Sequence, residues 1–427
     1  MKIVLITYPT SPFRGSEFSV SWNYIINMSK FHELYVLYGT SGNGFGNVSE
    51  LKNWLKYNKL NNVHFIDIHV PNNLISSIFA FCRKVNYTYG SYIQYKYYYK
   101  QVYKKTQEII KKENIDVIHY LNPIGFKEPG KCWKISNIPY IWGPIKAVEN
   151  IPFALYKALS FKGKINALIK LILHNIVFLT FPNIRKAFKR ADFIFAAVPK
   201  TVVLLKKVYN INSIYLPENG INKMERDNPI QYIPQKERLN IIWIGRLDEF
   251  KALIILIDAL KKVNNKKWHL HVVGDGYLKD KLKNSSKSIS SNITWHGTIP
   301  RIEVLRLLSS MHLHVITSLS EATSTVLLEA MSYAVPTITL DHCGMAGVVC
   351  EKCGIKIPIK SYKQVVNDIA IKIDYIIENP NYINILSRGV IECSKKYMWE
   401  KRIEIFNDIY NKAVLKYKNN NENTVSK

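Results

Sequence analysis

The stretch Leu239-Asn240-Ile241-Ile242-Trp243-Ile244-Gly245-Arg246-Leu247-Asp248-Glu249-Phe250-Lys251 is a short β-rich run that stops at a glycine and leads into a loop with two cations. Runs of this kind recur at 269–274, 293–297, 312–317 and 336–341, each followed by a longer helical pattern. Alternation of short strands and helices predicts α/β units on a parallel sheet. The first half repeats the pattern, with strands expected at 2–8, 33–39, 63–70, 116–121, 139–144, 192–198 and 213–217. A Pro-Glu-Asn-Gly turn at 217–220 and a polar, proline-containing stretch at 223–238 read as an interdomain linker. The expected organisation is therefore two consecutive doubly wound domains, 1–225 and 226–395. A helical segment over 396–415 follows, and a polar tail over 416–427 is expected to be disordered. In such folds ligands bind at the carboxyl ends of the strands.

Composition narrows the possibilities. The chain has 427 residues with 59 Lys and Arg against 32 Asp and Glu, a net charge of +27. A hydrophobic content of 47% excludes a largely disordered chain. Residues 1–225 carry a net +18, concentrated by two acid-free spans. Between Asp67 and Glu108, Arg83, Lys84, Lys96, Lys100, Lys104 and Lys105 mix with eight tyrosines. Between Glu149 and Asp192, Lys162, Asn166, Lys170 and His174 form a narrow polar stripe on an otherwise apolar helix. That pattern predicts an anionic partner, with an acidic membrane face foremost. A lysine-, asparagine- and isoleucine-rich genome bias is the bland counterpart, and burial of the helix against its own domain or a partner subunit is the other. No uncharged apolar stretch reaches the roughly 18 residues of a membrane span, so a cytoplasmic protein is expected. Six cysteines make no disulfide scaffold, and Cys350-x-x-Cys353 has no second pair, so no metal site is expected.

The chemistry-bearing motifs all fall at strand ends. Arg246 and Lys251 follow the strand 239–245, and paired cations there suit a diphosphate leaving group that gains charge as its bond to a sugar breaks. Gly274 and Gly276 in Val-Gly-Asp-Gly permit a tight turn and close ligand approach, and His296-Gly297-Thr298 supplies a further loop. Ser318 to Met331 holds Glu321 and Glu329 around small residues, with Ser324, Thr325 and Val326 opening a helix whose amides suit an anion.

These motifs resemble the nucleotide-binding half of family 4 glycosyltransferases, retaining enzymes of the two-domain GT-B fold. Arg14-Gly15-Ser16-Glu17, Asp116-Val117-Ile118-His119, Trp142-Gly143-Pro144, Glu149-Asn150-Ile151-Pro152 and Asp341-His342-Cys343-Gly344-Met345 extend the resemblance to bacterial surface-polysaccharide enzymes. The resemblance implies an acceptor domain over 1–225, a nucleotide-sugar domain over 226–395 and a C-terminal helix that crosses back to the first domain. It implies catalytic roles for His119, Glu321, Arg246 and Lys251. Donor contacts would come from Gly15, Gly274, Thr298, Ser324, Thr325, Val326 and Glu329, with Gly15 acting from the opposite domain. The substrates implied are a nucleotide sugar and a glycan or lipid-linked acceptor, without metal or cofactor; no Asp-x-Asp motif occurs. The chain departs from the family at Ala252, where glycine is common, and at Thr323-Ser324, where Phe-Gly is common. An epimerase or phosphorylase on the same fold is the alternative. Nucleic-acid binding is disfavoured, because neither a helix-turn-helix nor an aromatic RNA-binding signature is present.

Overall fold

The computed structural model describes residues 1–15, 17–39, 48–68, 77–78, 81 and 87–425. Ser16, Arg83 and Lys84, singled out above, lie outside the described residues. The chain divides into two units. The first comprises Met1–Val148, His174–Asn219 and Arg402–Lys427; the second comprises Glu149–Leu173 and Gly220–Lys401.

The first unit is built on seven parallel strands: β1 (Lys2–Ile6), β2 (Glu33–Gly39), β3 (Val63–Ile68), β4 (Val117–Tyr120), β5 (Tyr140–Ile145), β6 (Phe193–Ala196) and β7 (Ile214–Tyr215). Their order across the sheet is β3-β2-β1-β4-β5-β6-β7, so the direction of winding reverses between β1 and β4. The second unit repeats the design with β8 (Leu239–Ile244), β9 (Trp268–Val273), β10 (Ile293–Gly297), β11 (Leu313–Ile316), β12 (Thr337–Leu340) and β13 (Gly354–Ile357), ordered β10-β9-β8-β11-β12-β13. Each sheet thus has one switch point, where the loops after its two central strands diverge and leave a crevice. The strand run Gly354-Ile355-Lys356-Ile357 escaped the sequence reading because four residues with a central lysine carry almost no periodic signal.

Buried apolar residues of β8, β9, β11 and β12 form the core of the second unit with the helices α1 (Leu253–Lys262) and α2 (Tyr362–Glu378). Ile230 and Tyr232 are buried in that same core. The stretch 223–238 is therefore a packed part of the second unit, and two apolar side chains in a polar sequence are what anchor it. Residues 149–173 also belong to this unit, although they precede it in the chain by many residues.

The last helix, α3 (Trp399–Val425), runs ten residues past Leu415, where the composition suggested a polar tail. No glycine or proline interrupts Lys416 to Val425, so no residue there stops the helix. From Arg402 onward it belongs to the first unit, with Phe406 and Tyr410 buried against Tyr24.

Backbone sterics explain one glycine of the Trp142-Gly143-Pro144 segment. Gly143 has φ +121°, and a Cβ there would lie 2.2 Å from the Phe195 carbonyl oxygen on the neighbouring strand. Gly143→Ala is expected to destabilise the protein by at least about 1–3 kcal/mol from the backbone conformation alone; a urea midpoint equal to that of the parent would refute this.

Candidate functional site

The second unit assembles its chemistry from loops that touch each other through backbone. A Cβ on Gly274 (φ +126°) would stand 1.9 Å from the Gly245 carbonyl oxygen, and one on Gly276 would stand 2.6 Å from that of Leu247. Leu247 N–H donates to the Asp275 carbonyl at 2.9 Å, lacing the loops after β8 and β9 together. On the other flank, Trp243 Nε1 donates to Thr317 Oγ1 (3.1 Å), and that hydroxyl donates to the Lys251 carbonyl (2.9 Å). Leu319 N–H donates to the Phe250 carbonyl at 2.7 Å. These bonds place the end of the β8 loop beside the segment that follows β11.

The consequence is direct pairing of Lys251 Nζ with the Glu321 carboxylate, each side chain 21% exposed. Two residues separated by 70 positions in sequence thus share one charged centre at adjacent strand ends. Arg246 is 77% exposed, and its guanidinium pairs with Asp248 Oδ2 at 3.0 Å. Asp248 Oδ1 accepts the Lys251 backbone N–H at 2.9 Å, so one carboxylate holds the Arg246 guanidinium and the Lys251 main chain. Glu249 turns away, accepting the Ser160 N–H (3.1 Å) at the start of the helix α4 (Phe161–Thr180).

Helix α5 (Thr325–Ser332) begins next to Glu321, with Ser324 at its N-cap position making no side-chain cap. Thr325 and Val326 form its half-buried first turn. The unpaired amides of a first helical turn, together with the helix dipole, favour an anion there. A Cβ on Gly344 would stand 1.9 Å from the Ala322 carbonyl oxygen, so glycine is what allows the helix α6 (Cys343–Val348) to back onto the 322–323 turn. Ala252 adopts φ +47° at the start of α1, which explains the preference for glycine after the lysine. Glu329 Oε1 accepts from Arg301 Nε (2.9 Å) and Nη2 (2.7 Å). Burial raises the carboxyl's pKa, and the Arg301 charge partly offsets that rise. Thr298 is exposed in the loop after β10.

The remaining predicted residues, Gly15 and His119, lie in the first unit. Gly15 is exposed, with open space where a Cβ would point. His119 requires a correction: its side chain is fully buried and not presented to a ligand. Nε2 lies 2.7 Å from the Gly143 carbonyl, which can only accept, so Nε2 carries the proton. Nδ1 lies 2.6 Å from the Tyr410 hydroxyl and accepts from it, and Tyr410 in turn bonds Tyr24. Both ring nitrogens are spent on joining β4, β5 and α3. Burial lowers the imidazole pKa to about 4.

Sequence reasoning missed Arg301, Asp248 and Thr317, whose roles depend on which strand ends become neighbours. It also missed Glu128 in the first unit, and it gave no role to Glu17, quoted only within the Arg14-Gly15-Ser16-Glu17 motif. Burial raises both carboxyls, that of Glu128 to about 8, while the Ile124 N–H partly offsets the shift at Glu17. The only signal of Glu128 in sequence was the scarcity of acids in a basic half.

Residues 225–390 match the family of glycosyl transferases group 1. The group 1 segment accounts for nearly all the loops just described. The chain is 28% identical over 139 residues to an amylovoran biosynthesis glycosyltransferase of Erwinia amylovora, covering 32% of this chain and 38% of that protein. It is 30% identical over 123 residues to the lipopolysaccharide 1,6-galactosyltransferase of Salmonella typhimurium, covering 27% and 32% respectively. The chain spans between about a third and a half of the length of the curated relatives it matches. In fold it is similar to the lipopolysaccharide outer core galactosyltransferase WaaB (TM-score 0.64, 15% identity), over 96% of this chain and 100% of that one. It is also similar to HepE of Anabaena in complex with UDP (TM-score 0.59, 13% identity), over 96% and 100%. The two parallel sheets and this likeness make the fold α/β, of the GT-B type.

The His119 network makes stability pH-dependent. Its folded pKa of about 4 lies below the ordinary histidine value, so the unfolded chain takes up the proton first on acidification. Stability is complete above about pH 6.5 and is lost as pH falls toward 4. From pH 7 to pH 5 the expected loss from His119 is about 2 kcal/mol. Denaturation midpoints at the two pH values test this. His119→Gln should lower stability at pH 7 and shrink the pH-dependent part; an unchanged pH dependence would contradict the assignment.

Proposed function

We propose that this protein is a retaining glycosyltransferase of family 4, moving a sugar from a nucleotide sugar to a glycan or lipid-linked acceptor in the synthesis of a bacterial surface polysaccharide. The observation that carries the reading is the Lys251–Glu321 pair at neighbouring strand ends, beside the start of α5, within a group 1 segment. Support for the acceptor class comes from relatives named for amylovoran and lipopolysaccharide synthesis. Support for the donor comes from the structural neighbour holding UDP.

In this mechanism the amides of Thr325 and Val326 and the cations Arg246 and Lys251 receive the diphosphate. Gly274 and Thr298 flank the nucleotide, and Glu329 accepts hydrogen bonds from the ribose hydroxyls, as Arg301 holds it in place. Glu321 draws Lys251 to the site and orients the donor sugar. As the bond from the anomeric carbon to the phosphate oxygen breaks, negative charge grows on the diphosphate and the two cations stabilise it. The acceptor hydroxyl attacks the same face, and its proton passes to the departing phosphate oxygen. This route needs neither a protein base nor a metal, so the buried His119 is not required in it.

Arg246→Ala and Lys251→Ala should each lower turnover by roughly a hundredfold or more, with full activity in both contradicting the site. UDP-, GDP- and ADP-sugars should be screened first by thermal stabilisation, since a ligand of the native state raises the apparent stability. The product's anomeric configuration, read by NMR, should match the donor's; inversion would sink the retaining mechanism.

The acceptor is proposed to be met at an anionic membrane surface, on the cytoplasmic leaflet. Helix α4 is long and apolar enough by length and composition to cross a membrane, yet it carries Lys162, Lys164 and Lys170. It is not buried against its own unit, as a bland reading expected: Phe161, Ile165, Leu168, Ile169, Ile172 and Leu173 are among its exposed side chains. Two members of its polar stripe instead touch protein, Lys170 over the Phe250 ring and His174 against Phe126. An apolar face flanked by lysines suits insertion among anionic headgroups. Co-sedimentation should show binding to vesicles with anionic lipid and little to neutral ones, weakened by Ile169→Glu with Ile172→Glu. Equal binding to both vesicles, or none, would refute the docking.

A further inference from the structure

Cys350 and Cys353 occupy a tight turn between α6 and β13, and Cys393 lies at the end of the helix α7 (Asn381–Ser394). The fold brings this third cysteine to the pair. The sulfur of Cys350 is 3.5 Å from that of Cys353 and 3.2 Å from that of Cys393, and all three lie within 4.8 Å of one another. All three are free thiols. We propose that they form a binding site for one zinc-type divalent cation, held by three thiolates from a Cys-x-x-Cys turn and a helix end.

The geometry is built for sulfur ligands. Zinc–sulfur bonds of about 2.3 Å in a tetrahedron place neighbouring sulfurs about 3.8 Å apart, a few tenths of an ångström from the separations found. The N–H groups of Lys352 and Cys353 donate to the Cys350 sulfur, and the Cys350 N–H donates to the Cys353 sulfur at 3.2 Å. Such donors stabilise a thiolate and orient it as a ligand. Two glycines hold the parts together. A Cβ on Gly389, one helical turn before Cys393, would stand 1.8 Å from the Lys352 carbonyl oxygen, so α7 approaches the turn backbone to backbone. A Cβ on Gly354 would stand 2.3 Å from the Thr337 carbonyl oxygen, where β13 leaves the turn to pair with β12.

Cys350 and Cys393 open on a cavity of about 500 Å³ that Glu351, Lys352, Lys356, Glu392 and Lys396 also line. A water or one of the two carboxylates supplies the fourth ligand from that side. Three thiolates with a divalent cation carry one net negative charge, and the lysines around the cavity offset it. At 3.5 and 3.2 Å from its two neighbours, the Cys350 sulfur is well beyond the roughly 2 Å of a disulfide bond to either. Soft thiolate ligands select zinc over magnesium or calcium. Cys353 and Cys393 also pack in one cluster with Leu327, Leu328 and Met331 of α5, so the cation would brace the helix that opens the candidate site from behind.

The test uses the full chain, reduced and stripped with a chelator, then titrated with zinc or cobalt. One equivalent should bind, with a thiolate-to-cobalt charge-transfer band and a rise in melting temperature. Cys350→Ser and Cys393→Ser should each weaken binding at least tenfold and reduce the band, whereas Cys132→Ser, buried in the first unit, should leave both unchanged. Circular dichroism of each variant separates loss of metal from loss of fold. Absence of the band and of any thermal shift in the reduced parent would overturn the proposal. So would binding that survives unaltered in the folded Cys350→Ser and Cys393→Ser variants. None of these readouts depends on a transfer reaction.

Discussion

Close contact of backbone with backbone at the strand ends is the constraint on which the second unit depends. Gly274 against Gly245, Gly276 against Leu247 and Gly344 against Ala322 are separations in which a single methyl group has no room. Because the loops meet at that range, their peptide groups can bond across, and the lysine after β8 reaches the glutamate after β11. Side-chain chemistry here is downstream of sterics. Long cationic and anionic side chains alone would not choose one geometry, because an exposed pair contributes little and pays side-chain entropy. A framework of fixed carbonyls and amides makes the choice for them.

The first unit applies the opposite strategy to the strand-end His119. Burial of an imidazole without partners would be costly, and the chain meets that cost by bonding both nitrogens within the core. The network ties two strands of the sheet to α3, so that helix is integral to the first unit. The same helix brings Phe406 against His119 and Phe195. A residue that looks like chemistry in sequence is, in the fold, a joint. Helix α4 shows the converse. Its apolar residues would pass for core in a composition count, yet most of them face outward while a lysine and a histidine of its polar stripe touch aromatic rings.

Much of this was legible without coordinates. Twelve of the thirteen strands among the described residues appear as short β-rich runs at the expected places, and the parallel arrangement follows from their alternation with helices. Arg246, Lys251, Glu321 and Glu329 stood out because cations and carboxylates next to strand ends interrupt apolar runs. Other features left no trace. Ile230 and Tyr232 were lost in a polar stretch that looks like a linker, and β13 was too short to show a period. Arg301 is an ordinary helix-terminal cation until α5 brings Glu329 to it. Cys393 lies 40 residues from the Cys-x-x-Cys pair, with nothing in the spacing to associate them.

What the sequence determined by itself was the alphabet of local structure: apolar periodicity, turn residues and the excess of basic charge are properties of neighbours along the chain. What only the tertiary structure decided was which of those local pieces meet. The pairing of Lys251 with Glu321, the sealing of His119 and the gathering of three cysteines all depend on strand order and on glycine-permitted approach between segments tens to hundreds of residues apart. Contacts of that kind are set by packing in three dimensions, which no window along the chain contains.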